Sequence, residues 1–388
     1  MKKIIKNGRI VTPGGIIEGS IGIDGTKIRR IMEGDSSLSG PDADRGAEII
    51  DAAGCYIMPG LVDFHCDLLE YAIQPRKNVF FPLPLALHSI QAQFLAAGIT
   101  TIFHPVSFAG EPGLRSNDMG LAIVRAIARF RREETAILRH FIHVRYELNN
   151  KAGLDTVGGI FKEGLVELFS VTDHSPGYGK FKTYHEYKRY IEKNSTLTAE
   201  QLEAYTKVQW EMPAEVDHEV VQQLLMYVAR HHVPFATHDD DSPRRVDAYR
   251  RRGATISEFP LNEETARHAL NHNMYAVVGA PNLLRNKSHT DNLSARHAID
   301  NGLANILCSD YYCNALLASI FVLFEEGMSL PEAVAYAALN PARAVGLADR
   351  LGSLEEGKEA DILLVRHRRG ELPVVERAMV EGRWRFGT

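Results

Sequence analysis

Two potential metal ligands, His65 and Asp67, follow an apolar run that ends in Met58-Pro59-Gly60. Side chains at positions i and i+2 of a β-strand point to the same face of the sheet. An imidazole and a carboxylate that project together from one strand end are suited to chelating a divalent metal ion. Because His-x-Asp also occurs by chance in surface strands, this pair indicates a metal site only if other segments supply further ligands.

Further imidazoles and carboxylates follow other strand-like runs of the chain. They stand at Glu147, Asp173-His174, His238-Asp239-Asp240-Asp241 and Ser309-Asp310. Taken singly, each has an ordinary alternative, since an aspartate after a strand often caps the next helix and a histidine often makes a surface hydrogen bond. Taken together, three histidines and three carboxylates at matching strand ends predict a two-metal site with a bridging carboxylate. Such a site can activate water and hold an oxyanion or a phosphate, and a further carboxylate near that water can act as general base.

Alternating apolar runs and helical patterns must position these residues. The stretches 85–97 and 118–134 have apolar residues at helical spacing, and they separate strand-like runs. Eight such runs predict an α/β protein with a (β/α)8 TIM-type barrel, whose chemistry lies at the carboxyl ends of its strands. A doubly wound sheet is disfavoured because no Gly-x-Gly-x-x-Gly follows an early strand. The runs are 56–64, 100–106, 138–147, 166–172, 234–237, 254–259, 275–279 and 306–309.

Both ends of the chain contain short strand-like runs with turn residues between them. Because chain termini commonly lie close together, we predict a small β-sandwich domain built from residues 1–55 and 349–388, beside a barrel of residues 56–348. The polar, tyrosine-rich stretch 180–210 interrupts the barrel pattern and predicts inserted helices on the active-site face. These helices would form a lid or an oligomer contact, which makes a homodimer an expectation, or else a solvated surface.

The composition narrows the class of protein. A net charge of -5 at pH 7 argues against a nucleic-acid partner, which usually requires a basic chain. No apolar run reaches about 18 residues, so no membrane span is expected. The basic start is followed by no apolar stretch and is not expected to be a targeting signal. Four cysteines are too few for a disulfide framework, which predicts reduced thiols and a cytoplasmic location.

Several motifs resemble the amidohydrolase superfamily, and in particular its phosphonate-metabolism branch. The barrel entry at 59–65 and the exit from Asn340-Pro341-Ala342 to Ala360-Asp361 look like the superfamily. Most members have His-x-His where this chain has His65-Cys66-Asp67, so the aspartate favours that branch. The other similar segments include Pro75-Arg76, Ala97-Gly98-Ile99-Thr100-Thr101, His143-x-Arg145-x-Glu147, Asp173-His174-Ser175-Pro176-Gly177, Thr237-His238-Asp239-Asp240, Glu258-Phe259-Pro260, Gly279-Ala280-Pro281-Asn282 and Ser309-Asp310-Tyr311-Tyr312.

The resemblance implies a reaction and a set of ligands. It implies a metal-dependent hydrolase of phosphonate catabolism that cleaves ribose 1-methylphosphonate 5-triphosphate between its α- and β-phosphates and releases pyrophosphate. Glu147 would bridge two divalent ions and Asp310 would accept the proton of the attacking water, while positioning and charge neutralisation supply most of the catalysis. Zinc is the first expectation for the metal, with manganese, iron or nickel as alternatives for the same donors. The implied metal ligands are His65, Asp67, Glu147, His174, His238 and Asp310.

A substrate that carries a triphosphate and a phosphonate needs cationic partners. Barrels often bind phosphate beyond the seventh strand, and arginine binds phosphate with a fork of donors. The segment 286–292 and the pair Gly179-Lys180 depart from the branch, which has small residues and a basic or amide pair there. His104 also stands where a small polar residue is expected, and we expect an extra ligand or a substrate contact. The expected substrate-binding residues are Arg76, Arg145, Lys180, Arg285, Lys287 and His289, each with a solvated surface charge as the alternative.

Because of these departures, a second enzymatic function stays open. A divergent amidohydrolase would cleave a C–N bond of a cyclic amide, imide or aminated heterocycle with the same ligands, because activated water can also attack a carbonyl or amidine carbon. A scaffold protein that kept the barrel and lost its chemistry would show broken ligand positions. All six positions hold competent side chains, which favours an enzyme over such a scaffold. The ligands do not separate the two enzymatic functions, and the resemblance makes a small anionic phosphorylated substrate the leading expectation.

Overall fold

Strands and helices alternate along most of the chain in the computed structural model, which describes residues 2–34, 46–175, 181, 183–211, 218–286 and 292–387. The strands are β1 (Lys2–Thr12), β2 (Gly15–Asp24), β3 (Lys27–Glu33), β4 (Glu48–Asp51), β5 (Tyr56–Pro59), β6 (Leu61–Asp63), β7 (Ile99–Phe108), β8 (Arg139–Glu147), β9 (Leu168–Thr172), β10 (Phe235–His238), β11 (Ile256–Glu258), β12 (Tyr275–Gly279), β13 (Ile306–Cys308), β14 (Ile362–Arg366), β15 (Val374–Val380) and β16 (Arg383–Phe386). The α-helices are α1 (Leu68–Ile73), α2 (Leu83–Ala96), α3 (Asn117–Phe130), α4 (Leu154–Lys162), α5 (Tyr184–Asn194), α6 (Ala199–Glu211), α7 (His218–His231), α8 (Pro243–Arg250), α9 (Glu263–Asn271), α10 (Ala280–Arg285), α11 (Ala295–Asp300), α12 (Asn314–Glu325), α13 (Leu330–Ala335) and α14 (Leu339–Ala344). No helix within these ranges is long and apolar enough to cross a membrane.

Strands β6 to β13 form one parallel sheet in which each strand pairs with its neighbours in chain order. Nearly every residue of these strands is buried, as expected for a parallel sheet that is covered on its outer face by helices. The predicted (β/α)8 barrel is therefore confirmed. Its active-site face is the end at which the strands terminate, because the loops that follow the strands all emerge there.

The barrel closes where its first and last strands meet. Cys66 and Asp310 form a parallel bridge, in which the Asp310 N–H donates to the His65 carbonyl at 2.8 Å and the Asp67 N–H donates to the Asp310 carbonyl at 2.7 Å. Nearer the other end of the strands, the N–H groups of Val62 and Leu307 donate to the carbonyls of Ala337 and Tyr336. The direct pairing of the two strands is thus made by the very residues expected to bind metal.

A buried side-chain contact reinforces this closure. Asp63 lies at the end of β6 with no exposed surface, and it accepts hydrogen bonds from the hydroxyl and the N–H of Ser309 at 2.5 and 3.2 Å. The N–H of His65 also donates to Asp63, at 3.3 Å. A buried carboxylate with several donors is a strong local constraint. Asp63 therefore fixes the backbone of both strand ends beneath the site.

The second sheet combines strands from both ends of the chain, as predicted. Its order is β16-β15-β14-β5-β1-β2-β3 with β4 beside β1, so the strands are hydrogen-bonded into a single mixed sheet. The run predicted as one strand over 56–64 is divided, because Tyr56–Pro59 pairs with β14 and Leu61–Asp63 pairs with β7. Gly60 stands between them, and a Cβ there would lie 2.1 Å from Thr100 Oγ1. Only glycine allows the chain to pass this closely from one sheet to the other.

The stretch 180–210 contains the two helices α5 and α6, in agreement with the predicted insertion. Phe181, Tyr187, Ile191 and Leu202 form a small hydrophobic cluster of their own. The His174 ring contacts this insertion, with its centroid 5.3 Å from the rings of Phe181 and Tyr190. The insertion therefore covers one side of the active-site face instead of lying free on the surface.

His104 does not reach the active-site face. Its ring is buried, stacks on His140 with 5.2 Å between centroids, and lies 6.2 Å from Phe94 of α2. His104 Nε2 is 2.8 Å from His140 Nδ1, and His140 Nε2 is 3.2 Å from Gln91 Oε1. The expectation of an extra ligand or substrate contact at His104 is therefore wrong, because its side chain points toward the helices that surround the barrel.

The His104–His140 pair should make stability depend on pH. Burial lowers the pKa of His140 to about 3 and, with the adjacent ring, holds the pKa of His104 well below its usual value. Below about pH 6.5 the unfolded chain takes up protons that the folded pair cannot bind. The free energy of unfolding should therefore fall by about 1.6 kcal/mol per histidine between about pH 6.5 and about pH 5.

Denaturant unfolding of the metal-free protein at both pH values tests this expectation. A His104→Asn/His140→Gln variant should lose less stability on acidification than a His88→Gln control, which changes an exposed histidine of α2. Equal losses in the two variants would show that the buried pair does not carry the pH dependence.

Candidate metal centre

A cavity of about 500 Å³ opens at the carboxyl ends of the barrel strands. Glu147 does not line it but lies directly behind His174, beside a smaller polar cavity of about 240 Å³. The tertiary structure therefore brings all the predicted ligands to one place, although they come from five strand ends. The five that line the larger cavity are His65, Asp67, His174, His238 and Asp310.

His65, Asp67 and Asp310 form one group of potential ligands, with one donor atom of each within 4.8 Å of the others. Burial lowers the pKa of His65 to about 3, so its ring is neutral near pH 7 and retains a lone pair. Asp67 precedes α1 but makes no side-chain hydrogen bond to cap it. Its buried Oδ1 makes no hydrogen bond to any residue that the structure describes. The alternative of a helix cap therefore fails for Asp67, and its carboxylate is available to a metal ion.

His174, His238 and Asp239 form a second group within the same 4.8 Å limit. Asp239 Oδ2 lies 3.1 Å from His238 Nδ1 and 3.3 Å from His174 Nε2. Asp239 was not predicted as a ligand, since an aspartate after a strand is usually a helix cap. In the structure Ser242 occupies the cap position of α8, and Asp239 has a left-handed backbone with φ 55°. The only signal for its role in the sequence is its place directly after His238.

Glu147 holds His174 in position. Its Oε1 accepts a hydrogen bond from His174 Nδ1 at 2.5 Å, and its Oε2 accepts one from the His174 N–H at 3.1 Å. Burial would raise the pKa of Glu147, but the adjacent imidazole and these hydrogen bonds outweigh it and lower the pKa to about 2. With Nδ1 engaged, His174 presents Nε2 toward Asp239, which is how carboxylates commonly orient metal-binding histidines. A bridging role for Glu147 between two ions stays a prediction.

The position of Asp310 depends on its backbone conformation and on the absence of a side chain at Gly279. It follows β13 in a left-handed conformation, with φ 55°. A Cβ on Gly279, at the end of the adjacent strand β12, would lie 3.0 Å from Asp310 Oδ2. Since the Asp310 N–H is bonded to the His65 carbonyl, the same strand contact that closes the barrel also places this carboxylate near His65 and Asp67.

Glu258, at the end of β11, is a fully buried carboxylate that belongs to one of the family-like segments but was not predicted as a site residue. Neither of its oxygens makes a hydrogen bond within the described ranges, and Oε1 lies 3.4 Å from His65 Nδ1. A buried carboxylate without a partner is costly. The Nε2 of His65 faces Asp67, 3.8 Å from Oδ1, so a metal ion there would leave Nδ1 as the N–H that faces Glu258. Glu258 is therefore placed to orient His65.

Two of the predicted substrate-binding arginines line the cavity. Arg145, on β8, has Nη2 3.3 Å from His238 Nε2. Its buried Nε makes no hydrogen bond to a described residue. Arg285, at the end of α10, is exposed and donates from Nη1 to the Tyr311 hydroxyl at 3.2 Å. Both guanidinium groups can therefore approach an anion bound in the cavity.

A third cavity arginine, Arg115, was not predicted. It comes from the loop after β7, where no motif marks it. Its Nε and Nη2 donate to the Glu70 carboxylate at 3.2 and 2.8 Å, and its Nη1 donates to the Tyr190 hydroxyl at 3.3 Å. These partners hold the guanidinium in a fixed orientation against the inserted helix α5. Arg115 is thus a preorganised cation in the cavity wall.

The other predicted substrate-binding residues are not brought to this cavity by the described structure. Arg76 is exposed and lies outside the cavity lining. Lys180, Lys287 and His289 lie outside the described residues. Their assignments stay predictions.

The donors of the two groups fit divalent metal ions. Each group combines imidazole and carboxylate, the donor types that zinc, manganese, iron and nickel accept. The buried Asp67 Oδ1, which makes no hydrogen bond to a described residue, and the buried Glu258 carboxylate behind His65 are the features that a bound cation would explain. His65, Asp67 and Asp310 would hold one ion, and His174, His238 and Asp239 the other.

Comparison with proteins of known family identifies the family to which the chain belongs. The amidohydrolase family model matches residues 170–385. The chain is 31% identical over 371 residues to the alpha-D-ribose 1-methylphosphonate 5-triphosphate diphosphatase of Escherichia coli K12, which covers 94% of this chain and 95% of that enzyme. The chain belongs to the amidohydrolase family. This amidohydrolase is accordingly a hydrolytic enzyme, as the intact set of ligands predicted.

Other amidohydrolases match less of the sequence or share only the fold. The D-hydantoinase of Geobacillus stearothermophilus is 42% identical over 69 residues, which is 18% of this chain and 13% of that enzyme. The dihydropyrimidinase from Brevibacillus agri superposes with a TM-score of 0.64 at 16% identity, covering 99% of this chain and 95% of the other. The N-acetylglucosamine-6-phosphate deacetylase from Pasteurella multocida gives a TM-score of 0.65 at 12% identity, with coverage of 99% and 100%. These two structures establish the shared architecture.

Replacing Glu258 should weaken metal binding without unfolding the barrel. In Glu258→Gln the side chain keeps its volume but loses the charge that favours an N–H on His65 Nδ1. We expect affinity for the metal to fall by about 10- to 100-fold, as for other changes behind a metal-binding histidine. Competition with a chromophoric chelator measures this affinity, and circular dichroism checks the fold.

Ser170→Ala is the matched control for this experiment. It removes the hydrogen bond to the neighbouring His143 Nε2, at 2.8 Å, and leaves Glu258 and His65 in place. Equal metal affinities in Glu258→Gln and Ser170→Ala would show that Glu258 does not orient His65.

Proposed function

We propose that this amidohydrolase is a metal-dependent diphosphatase that cleaves ribose 1-methylphosphonate 5-triphosphate between its α- and β-phosphates and releases pyrophosphate. The observation that carries the proposal is the similarity to the E. coli diphosphatase along 94% of the chain, together with a ligand set that contains His65-x-Asp67. The short matches to a hydantoinase and to dihydroorotases cover a fifth to a quarter of the chain and support only the family.

The charges of the cavity favour a polyanionic substrate. Arg115, Arg145 and Arg285 enter it from three different elements. A triphosphate and a phosphonate together present several negative oxygens, which guanidinium groups bind with paired donors. A cyclic amide or imide offers little charge for three cationic groups to neutralise. The arrangement therefore supports phosphoanhydride cleavage over the alternative of C–N hydrolysis.

The site residues have distinct tasks in such a reaction. Bound divalent ions, with zinc as the proposed metal and manganese, iron or nickel as alternatives, would polarise phosphoryl oxygens and lower the pKa of a water molecule. Asp310 would accept the proton of that water, since its carboxylate lines the cavity and belongs to the first ligand group. Arg115 and Arg145 would neutralise charge that develops on the phosphates, and the preorganised hold of Glu70 on Arg115 limits reorganisation during the reaction.

The cellular setting is part of the proposal. We infer a cytoplasmic role in phosphonate catabolism, no nucleic-acid or membrane partner, and a homodimer in which the inserted helices take part. These statements depend on the composition and on the resemblance, and size determination in solution decides the last of them.

Isotope labelling tests the reaction most directly. The metal-loaded protein is incubated with ribose 1-methylphosphonate 5-triphosphate in water enriched in oxygen-18, and the products are followed by phosphorus NMR. We expect pyrophosphate in an amount equal to the substrate consumed, with the label on the 5-phosphate of the ribose product, because the attack is at the α-phosphorus. Release of orthophosphate would contradict the proposed cleavage, and label in the pyrophosphate would contradict attack at the α-phosphorus. Ring opening of a hydantoin or dihydropyrimidine with no phosphate release would favour C–N hydrolysis.

Asp310→Asn should separate proton transfer from metal binding. The amide keeps an oxygen donor but cannot accept the proton, so turnover should fall by about 100- to 10,000-fold while metal content stays near that of the unaltered protein. Asp241→Asn is the control, since Asp241 is an exposed aspartate that bonds the Ser242 hydroxyl and lies outside the cavity lining. Equal turnover in the two variants would remove Asp310 as the base.

A further inference from the structure

A second constellation of metal-binding side chains lies on the outer helical layer, away from the catalytic cavity. Asp247 of α8 and the histidines His268 and His272, spaced i and i+4 at the end of α9, each offer a donor atom within 4.8 Å of the others. The two imidazole rings are 4.3 Å apart between centroids. Residues spaced four apart lie on one face of a helix, and His272, the residue directly after α9, extends the face on which His268 lies. None of these residues lines the catalytic cavity.

The hydrogen bonds define which nitrogen of His272 is available. Its Nδ1 lies 2.8 Å from the His268 carbonyl oxygen. A carbonyl oxygen can only accept, so Nδ1 carries the hydrogen and Nε2 of the neutral ring keeps its lone pair. A backbone carbonyl that fixes the tautomer in this way is a usual companion of a metal-binding histidine. His272 is therefore oriented as a ligand would be.

His268 already shares a polar contact with the carboxylate. Its Nε2 lies 3.1 Å from Asp247 Oδ1. Tetrahedral zinc with bonds of about 2.0–2.1 Å places neighbouring ligands about 3.3 Å apart. An ion could thus replace the hydrogen between these two atoms with little movement of either side chain. A donor atom of His272 lies within 4.8 Å of both, close enough to complete the group.

The charged residues around Asp247 determine which metal ions the site can bind. Hydrogen bonds from His268 and Arg250 outweigh a small burial effect and lower the pKa of Asp247, so it is ionised near neutral pH. Arg250 Nη2 is 3.2 Å from Oδ1 and Arg251 Nη2 is 3.5 Å from Oδ2. Both arginines come from the same helix as the aspartate, and a bound cation would share the carboxylate with them. Their presence disfavours calcium and magnesium, which need several oxygen ligands, and leaves the two imidazoles to supply most of the affinity.

We propose that Asp247, His268 and His272 form an accessory site for a borderline divalent ion, zinc foremost, that links α8 to α9. Helix α9 runs back from the carboxyl end of β11, and His272 stands just before β12 begins. The site therefore lies toward the face of the barrel opposite the catalytic cavity. An ion bound there would stabilise the packing of two barrel helices without taking part in the hydrolytic reaction.

Zinc counting on the catalytically loaded protein tests the site. The protein is equilibrated with buffered free zinc, and bound zinc per chain is measured together with the melting temperature. We expect the unaltered protein to bind one more zinc per chain than His272→Gln and to show a rise in melting temperature that this variant lacks. His272→Gln leaves the His268–Asp247 contact intact, so loss of that ion pair does not confuse the comparison.

His297→Gln is the matched control. His297 pairs with the Glu263 carboxylate at 2.9 Å on the exposed surface, and no second imidazole joins that pair in the described structure. This variant should bind as much zinc as the unaltered protein. Equal zinc content and equal thermal shifts in His272→Gln and His297→Gln would overturn the proposal. A zinc-dependent increase in molecular mass would also overturn it, because the ion would then bridge two copies of the chain.

Discussion

The structure depends on the backbone contact that joins the first and last barrel strands. Asp310 bonds to His65 and Asp67 through its N–H and carbonyl, at 2.8 and 2.7 Å, and Ser309 bonds to the buried Asp63 just beneath. Closing a barrel requires its two edge strands to meet in a defined register. Here the closure is made by the residues that carry the first group of ligands. The geometry of the metal site and the closure of the barrel therefore depend on the same backbone contacts, so a change in one changes the other.

The closure of the barrel brings several negatively charged side chains close together. Carboxylates of Asp67, Glu147, Asp239, Glu258 and Asp310 converge on the carboxyl ends of the strands, where several are buried. Burying charges is costly unless cations pair with them. Among the described residues, Arg115 and Arg145 supply part of that compensation, and the His174 imidazole supplies more of it to Glu147. The negative charge near the ligand groups favours the binding of divalent cations there.

Different parts of the barrel have different tasks, as the inserted helices and the proposed accessory histidine cluster illustrate. The barrel supplies ligands at its strand ends, whereas α5 packs Tyr190 against His174 and holds Arg115 in the cavity wall. This division is typical of TIM barrels, in which loops and insertions adapt a shared frame to a particular substrate. The proposed zinc site at α8 and α9 belongs to the opposite face, where side chains contribute to packing and not to catalysis.

The sequence by itself determined the barrel, the terminal sheet and most of the candidate ligand positions, because apolar periodicity and strand-end motifs are local features of the chain. It did not determine that Gly60 divides one predicted strand between two sheets, or that His104 faces the helices. It also did not reveal Asp239, Glu258 or Arg115 as site residues. Their roles arise from contacts between segments far apart in the chain, such as the Asp63–Ser309 contact across 246 positions. Only the tertiary structure decides such contacts, because the direction of a side chain depends on the register and twist of strands that the local sequence does not specify.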